Sequence, residues 1–504
     1  MKVLLIKSSN LTARSKGATP PLGLMYIASY IKQKRQDEVR ILDTRLYKEP
    51  LKEVSNVINE FQPDIVGIGA LTFEATSMYH IAHLIKQLTD IPIVAGGPHA
   101  TSVPHEVLKN KDIDIAVIGE GEITFKELLD ALETGNDLNT VDGIVYRNQG
   151  TIKNNKPRAY INNLDELPFP AWDLTELKKY ENIYSINGIR FRPYMVILTS
   201  RGCPFRCTYC HNIFGKTFRA RSAENVLAEM EILVNVYRIH DFIFLDDIPN
   251  LERKRIKAIL IEIINRNWNV HLYFTNGVRA DMLDEEIIYL MKRAGTSEIA
   301  IAVETASPRL QKMVKKNLNL GKVKRMIDVC VDSGMFVIGF FMLGFPTETE
   351  EELKATINFA CKSRLHEALF FLVNPFGDTE LARQIASTGN VTLNLKLEDF
   401  DYHSMPFNAS NVPDKTLHRL YSLAWVRFYF HPIRIIRILK ARPLWRDLPY
   451  LFILLIRDIF GAKGNKKLSF KPIDVVFTKK NNKTNLLKSL NESPNKRINI
   501  CSEK

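Results

Sequence analysis

Short runs of β-branched and aliphatic residues alternate with helical patterns twice along this chain, and that double alternation constrains its fold more than any other feature. The first set is KVLLIK (Lys2–Lys7), VRILDT (39–44), DIVGIGA (64–70), IPIVAGG (91–97) and DIAVIGEG (114–121), with helical spacing between them at Leu22–Lys34 and 77–88. Uniformly apolar runs suit strands buried on both faces. Strands that alternate with helices build a parallel, doubly wound sheet, which takes ligands at the carboxyl ends of its strands. The expectation is an α/β, flavodoxin-like (Rossmann-like) domain over residues 1–140. Its strand ends carry small or polar residues: Asp43, Thr72, GGPHA (96–100) and GEGE (119–122). Glycines at such ends let the backbone approach a bulky ligand closely, or simply make tight turns.

The segment 141–192, with LDELPFPAWDL (164–174) and its two prolines, reads as an extended connector between domains. The alternation then resumes with YMVILTS (194–200), DFIFLDD (241–247), VHLYFTNG (270–277), EIAIAVE (298–304), FVIGFFMLG (336–344) and EALFFLVNP (367–375). Helical patterns separate these runs, among them 223–237 and 322–333. Six such units predict a partial (β/α)6 barrel over 193–405, with its chemistry at the C-terminal rim.

A chain of 504 residues with 45% hydrophobic and 25% charged residues can bury large cores, which excludes a disordered or fibrous protein. It has six cysteines, half of them in one cluster, and no secretory h-region at Met1. A reducing, cytoplasmic setting follows from that usage, and a disulfide scaffold does not.

The cluster is RGCPFRCTYC, where Cys203, Cys207 and Cys210 form a CxxxCxxC array in the loop after the first barrel strand. Structural zinc takes four protein ligands, usually as two separated pairs, and the chain has no second CxxC. His211 could supply a fourth ligand only by straining a tetrahedron shared with its neighbour Cys210. A [4Fe-4S] cluster held by three cysteines leaves one iron open to a cosubstrate. Both readings stand at this point.

The array, with an aromatic residue (Tyr209) before its last cysteine, resembles the radical S-adenosylmethionine (radical SAM) superfamily. That resemblance implies a [4Fe-4S] cluster on the three cysteines whose open iron binds S-adenosylmethionine and whose electron cleaves it to a 5′-deoxyadenosyl radical. It also implies S-adenosylmethionine contacts: Asp246 and Asp247 at the ammonium, Asn276, Arg279 and Glu304 at the ribose and carboxylate, Gly344 in GFFMLGFPTET beside the adenine, and Tyr209. FRARS (218–222) is similar to a segment that follows the cluster in one subgroup. Taken singly, each acid could equally be a helix cap or a surface pair.

TPPLGLMYIASYI, AGGPHATSVPHEVL, DIAVIGEGEITFKELL and LDELPFPAWDL together resemble the cobalamin (B12)-binding radical SAM enzymes of methyltransferase and cyclase type. The resemblance spans about residues 1–405. It implies cobalamin on the first domain, lined by Thr72, Gly96, Gly97, Pro98, His99, Gly119 and Glu120. The DxHxxG motif, whose histidine ligates cobalt from below, is absent, and His99 is expected to line the nucleotide-tail pocket. The implied activity is C-methylation of an unactivated carbon in a lipid-like or secondary-metabolite molecule, with flavodoxin or ferredoxin as electron donor. A ring cyclase using the same cofactors, and a metal-stabilised membrane adaptor without turnover, are the alternatives.

The net charge of +13 resides in the tail: from His418 to Lys504 there are 19 Lys and Arg against 5 Asp and Glu. Residues 406–478 mix apolar positions at helical spacing with arginines, and the longest apolar run, Leu448 to Ile456, is far short of the roughly 20 residues a membrane span needs. Such a segment lies at the surface of anionic bilayers as a peripheral contact, or caps the barrel with its arginines in solvent. Nucleic acid is not expected as a partner, and 479–504 reads as disordered.

Overall fold

The computed structural model describes residues 1–9, 18–181, 193–376, 379–387, 394–396, 408–441 and 474–476. Strands β1 (Lys2–Lys7), β2 (Glu38–Asp43), β3 (Ile65–Gly69), β4 (Ile93–Gly96) and β5 (Ile115–Val117) run parallel in a sheet ordered β2-β1-β3-β4-β5, the flavodoxin-like arrangement. Alternate residues of β1 serve opposite faces. Leu4 and Ile6 join one buried cluster and Val3 and Leu5 another, which is why KVLLIK is apolar at successive positions.

The sheet does not end at 140. β6 (Ile144–Asn148) pairs antiparallel with β5, and β7 (Thr151–Asn154) antiparallel with β6, making seven strands. Gln149 and Gly150, at φ 47° and 80°, form the tight two-residue turn between them. The expected connector therefore opens with a hairpin. The rest of it lies along both halves of the molecule: Ala171 N donates to Met25 O (3.2 Å), the Tyr180 hydroxyl to Asp43 (2.6 Å), and Asp165 accepts from Ser222 N (2.9 Å).

The second sheet holds β8 (Tyr194–Ile197), β11 (Asp241–Phe244), β12 (His271–Val278), β13 (Thr296–Glu304), β14 (Phe336–Leu343) and β15 (Glu367–Leu372), all parallel and neighbours in chain order. Helices such as Ala223–Asn235, Arg253–Arg266 and Glu350–Lys362 return the chain between strands, giving the partial barrel. Between β8 and β11 the short strands β9 (Ser200–Arg201) and β10 (Arg219–Ala220) pair antiparallel and close a hairpin around the three cysteines.

After the barrel, helix Asp414–Tyr429 seats Leu417, Leu420, Ala424 and Phe428 in the main core. Helix Pro432–Ala441 buries only Arg434, which donates to Leu365 O, to Cys361 O (2.8 Å) and to Ser363 O (3.2 Å) and stacks on Phe428 at 3.6 Å. The apolar run Leu448 to Ile456 and the tail from 479 lie outside the described residues. Among the described residues no helix is long and apolar enough to cross a membrane.

Candidate active site

The cysteine hairpin has little freedom. Gly202 sits at φ 82°, and a Cβ there would lie 2.3 Å from Thr217 O and 2.9 Å from Phe214 O. The backbone that follows it is held: Cys203 N donates to Gly215 O (3.4 Å) and Cys210 N to Cys207 O (3.1 Å). Thr208 stitches the loop to two later segments, donating to Val314 O (3.1 Å) and accepting from Leu381 N (2.8 Å). The Cys207 thiol points at Lys315 O, 3.9 Å away.

Burial raises the Cys203 thiol above its usual range and pushes Cys210 up to about 12. Ligation needs the thiolate, so a positive centre has to replace the proton. Among the described residues no three His, Cys, Asp or Glu side chains converge on a single ion. In a cubane each thiolate takes its own iron, a donor set that three cysteines on one tight loop can supply. Cys330 is fully buried in the core and belongs to packing.

Around the hairpin stand the ends of the barrel strands. Asp246 is fully buried; its carboxylate accepts from Thr199 N (3.1 and 3.2 Å), from the Thr199 hydroxyl (2.7 Å) and from the Ser200 hydroxyl. It braces the end of β8. Asp247 instead faces the hairpin, with His211 Nε2 at 3.7 Å; burial raises its carboxyl and His211 opposes the rise. Asn276 donates to the carbonyls of Leu245 and Asp246, each at 3.2 Å. The Arg279 guanidinium lies 3.8 Å from the Phe205 ring centroid and donates to Lys316 O (2.8 Å).

Glu304 closes β13 in the left-handed region at φ 67°, just where the ladder to β14 shifts register. Its Oε1 accepts from the Tyr209 hydroxyl (3.2 Å) and from Lys316 Nζ (3.1 Å), both ion-pair partners being about nine-tenths buried. Gly344, at φ 96°, donates its N–H to Glu348 Oε2 (2.6 Å), as does Phe345 N (2.9 Å). Glu348 is fully buried, and burial pushes its carboxyl up to about 8. Sequence reasoning missed Lys316 and Glu348; neither stands at a strand end.

The first sheet presents its own strand ends. Thr72 starts a 3-10 turn after β3, and Gly97 and Pro98 open the short helix Gly97–Ser102 after β4. His99 in that helix is 1% exposed and held neutral, its pKa lowered to about 4 by burial; Nε2 pairs with the Tyr79 hydroxyl at 3.2 Å, and Nδ1 is buried without a hydrogen-bond partner. Gly119 N donates to the Thr101 hydroxyl at 3.0 Å. A Cβ at Gly96 or Gly119 would meet nothing within 4 Å, so both line open space. Glycine-walled room and an unpartnered ring nitrogen suit a bulky ligand with hydrogen-bonding edges.

The side chain of Glu120, an expected cobalamin contact, is engaged by two arginines. Its Oε1 accepts from Arg201 (3.0 Å) and Arg219 (2.8 Å), and its Oε2 from Arg219 (3.0 Å) and Ile161 N (2.8 Å). Glu122 Oε1 accepts from Arg201 at 2.6 Å. FRARS gains a structural account from the same contacts. Arg219 holds Glu120, Arg221 pairs with Glu229, and Ser222 caps helix Ala223–Asn235 by accepting from Asn225 N (3.1 Å).

Two family models match: the radical SAM superfamily over residues 197–360 and the B12 binding domain over residues 9–129. An uncharacterized methyltransferase of Pyrococcus horikoshii is 34% identical over 439 residues, covering 86% of this chain and 93% of that protein. The anaerobic magnesium-protoporphyrin IX monomethyl ester cyclase of Rubrivivax gelatinosus is 28% identical over 78% of this chain and 70% of its own. Among solved structures, the cobalamin-dependent S-adenosylmethionine radical enzyme OxsB with aqua-cobalamin and S-adenosylmethionine bound superposes with a TM-score of 0.69 at 18% identity, over 91% of this chain and 72% of that one. The radical S-adenosylmethionine methyltransferase TsrM of Kitasatospora setae, with tryptophan and an S-adenosylmethionine analogue bound, gives 0.66 at 20% identity over 78% of each chain.

Proposed function

The chain belongs to the B12-binding radical SAM methyltransferase family, and from that premise we propose that it methylates an unactivated carbon of a lipid-like or secondary-metabolite small molecule. The family's cofactors are a [4Fe-4S] cluster, S-adenosylmethionine and cobalamin. When bound, they supply a 5′-deoxyadenosyl radical to activate the carbon and a methyl group to cap it.

The residues divide this work as follows. Cys203, Cys207 and Cys210 hold the cluster. Asp247, Asn276, Glu304 and Tyr209 hold S-adenosylmethionine, with Lys316 fixing the Glu304 carboxylate and Asp246 bracing the loop behind them. Thr72, Gly96, Gly97, Pro98 and His99 line the cobalamin side, where the buried neutral imidazole offers a hydrogen bond and no charge. Flavodoxin or ferredoxin delivers the electron.

The observation that carries this reading is three thiols on one backbone-locked hairpin, whose His211 and Tyr209 meet the carboxylates of Asp247 and Glu304. Anaerobic reconstitution should give about four irons per chain. C203A, C207A and C210A should each lose 5′-deoxyadenosine formation under reduction, while C330A retains it. Formation that survives loss of any one of the three sinks the assignment.

The cyclase relative favours a second reading, ring closure with the same cofactors. Product mass separates the two, since methylation adds one methylene unit and cyclisation adds none.

The C-terminal helices support a peripheral contact with anionic bilayers. Phe430, Ile433 and Ile436 are 61%, 63% and 54% exposed, and Arg427 and Lys440, exposed on the same two helices, add positive charge. A lipid-like substrate is consistent with that face.

A further inference from the structure

We propose that Glu120 and Glu122 of the first sheet, with Arg201 and Arg219 at the base of the cysteine hairpin, form a positioning lock that fixes the hairpin against the cobalamin-binding half of the molecule. What the hairpin and the first sheet carry rests on the reading above; the lock rests on the following geometry.

Arg201 and Arg219 lie opposite each other across β9 and β10, so they bracket the three cysteines in sequence and meet at the neck of their loop. All four side chains of the cluster are at most 5% exposed. Glu120 bridges both arginines through Oε1, Glu122 takes the other fork of Arg201, and Ile161 N of the connector completes the Glu120 shell. The rings of Tyr26 and Phe214 flank Arg201 at 5.2 and 5.6 Å, and Tyr160 flanks Arg219 at 4.9 Å. Two acids face two bases in a dry site, so removing one member leaves an uncompensated buried charge. A surface pair, screened by water, would not hold the loop in this way.

The acids sit where displacement matters. Glu120 follows Gly119 at the open end of β5, and Glu122 lies in the first turn of helix Gly121–Thr134. The segment that would border cobalamin is therefore the one that grips the neck of the cluster loop. Through these bonds the first sheet would fix the distance and angle between the two cofactor sites, which must both reach one substrate carbon. The lock also assigns Glu120 a role other than touching cobalamin.

The test uses the full chain with its iron–sulfur cluster reconstituted. Amide hydrogen exchange is followed over 202–218, iron release to a ferrous chelator is timed, and hydroxocobalamin is titrated by its visible spectrum. E120Q and R219Q should each speed exchange in 202–218 and iron release by about ten-fold or more, with β13 and β14 amides unchanged. Hydroxocobalamin affinity should stay within about two-fold of wild type, as expected where the ligand's own contacts are intact. E120D, which keeps the charge, should restore part of the protection. Unchanged exchange in E120Q, or weakened hydroxocobalamin binding in either variant, overturns the lock. If the Gln variants do not fold, E120D decides alone: no rise in exchange over 202–218 overturns the proposal. A wild type that binds no hydroxocobalamin defeats the functional reading, while exchange over the hairpin still decides the lock.

Discussion

The Tyr209 hydroxyl donates to Glu304 Oε1 across 3.2 Å, tying the residue before the last cysteine to the end of β13. Lys316 reaches the same oxygen, so one carboxylate gathers a group from the cluster loop, one from the segment after helix Pro308–Met313, and the strand itself. Y209F removes one donor and leaves the three thiols in place. It should slow 5′-deoxyadenosine formation by about ten-fold while iron content stays at the wild-type level. Chromatography of the quenched reaction beside an iron assay checks both, and unaltered formation would show the bond to be idle.

Gly202 allows the hairpin to close. G202A must place a Cβ against Thr217 O in a left-handed backbone, at a cost of about 2–3 kcal/mol. Thermal unfolding should drop by about 5 °C, with incomplete iron loading. A wild-type melting curve with full iron would mean the loop opens more easily than its contacts indicate.

Glu348 gives a pH test with a definite sign. Its carboxyl is raised in the folded chain from the ordinary 4.5 to about 8, so the folded state keeps a proton that the unfolded state loses. The stability this group permits is fully present below about pH 4.5 and is lost as pH rises toward 8. Gln mimics the protonated acid and can still accept from Gly344 N and Phe345 N. E348Q should match wild type near pH 5 and exceed it by up to roughly 3 kcal/mol at pH 9. Denaturant unfolding at the two pH values measures the gap, and a gap that shrinks with rising pH contradicts the assignment.

The exposed C-terminal face predicts co-sedimentation with vesicles containing phosphatidylglycerol, weakening as salt rises. I433S with I436S should cut the bound fraction at least several-fold without altering the melting temperature, since both side chains are mostly solvent-exposed. Equal binding by the double variant would leave the contact to other parts of the chain.

Most of the fold is legible in the sequence because its strands are buried on both faces, so that KVLLIK and EIAIAVE announce themselves by composition alone. β6 and β7 escape that test: TIKN is a polar edge strand, IVYRN has only three buried residues before it turns polar, and only the Gln149–Gly150 turn betrays them. The cysteines are legible because their spacing is local. The contacts of Glu120 with Arg201 and of Glu304 with Lys316 are not, since no sequence pattern says which distant charge will meet which. Asp246 and Asp247 are adjacent and chemically alike, yet one is absorbed by Thr199 and Ser200 and the other faces the hairpin. Which of two neighbouring acids faces the hairpin is decided by where the strand ends.

Helix Pro432–Ala441 is secured by a cation and three carbonyls in place of an apolar seam. Such an anchorage is directional: it dictates how the helix is oriented while consuming almost none of its greasy surface. Among the described residues that surface stays exposed, and in the proposed bilayer contact one guanidinium would be the pivot that aligns barrel and membrane.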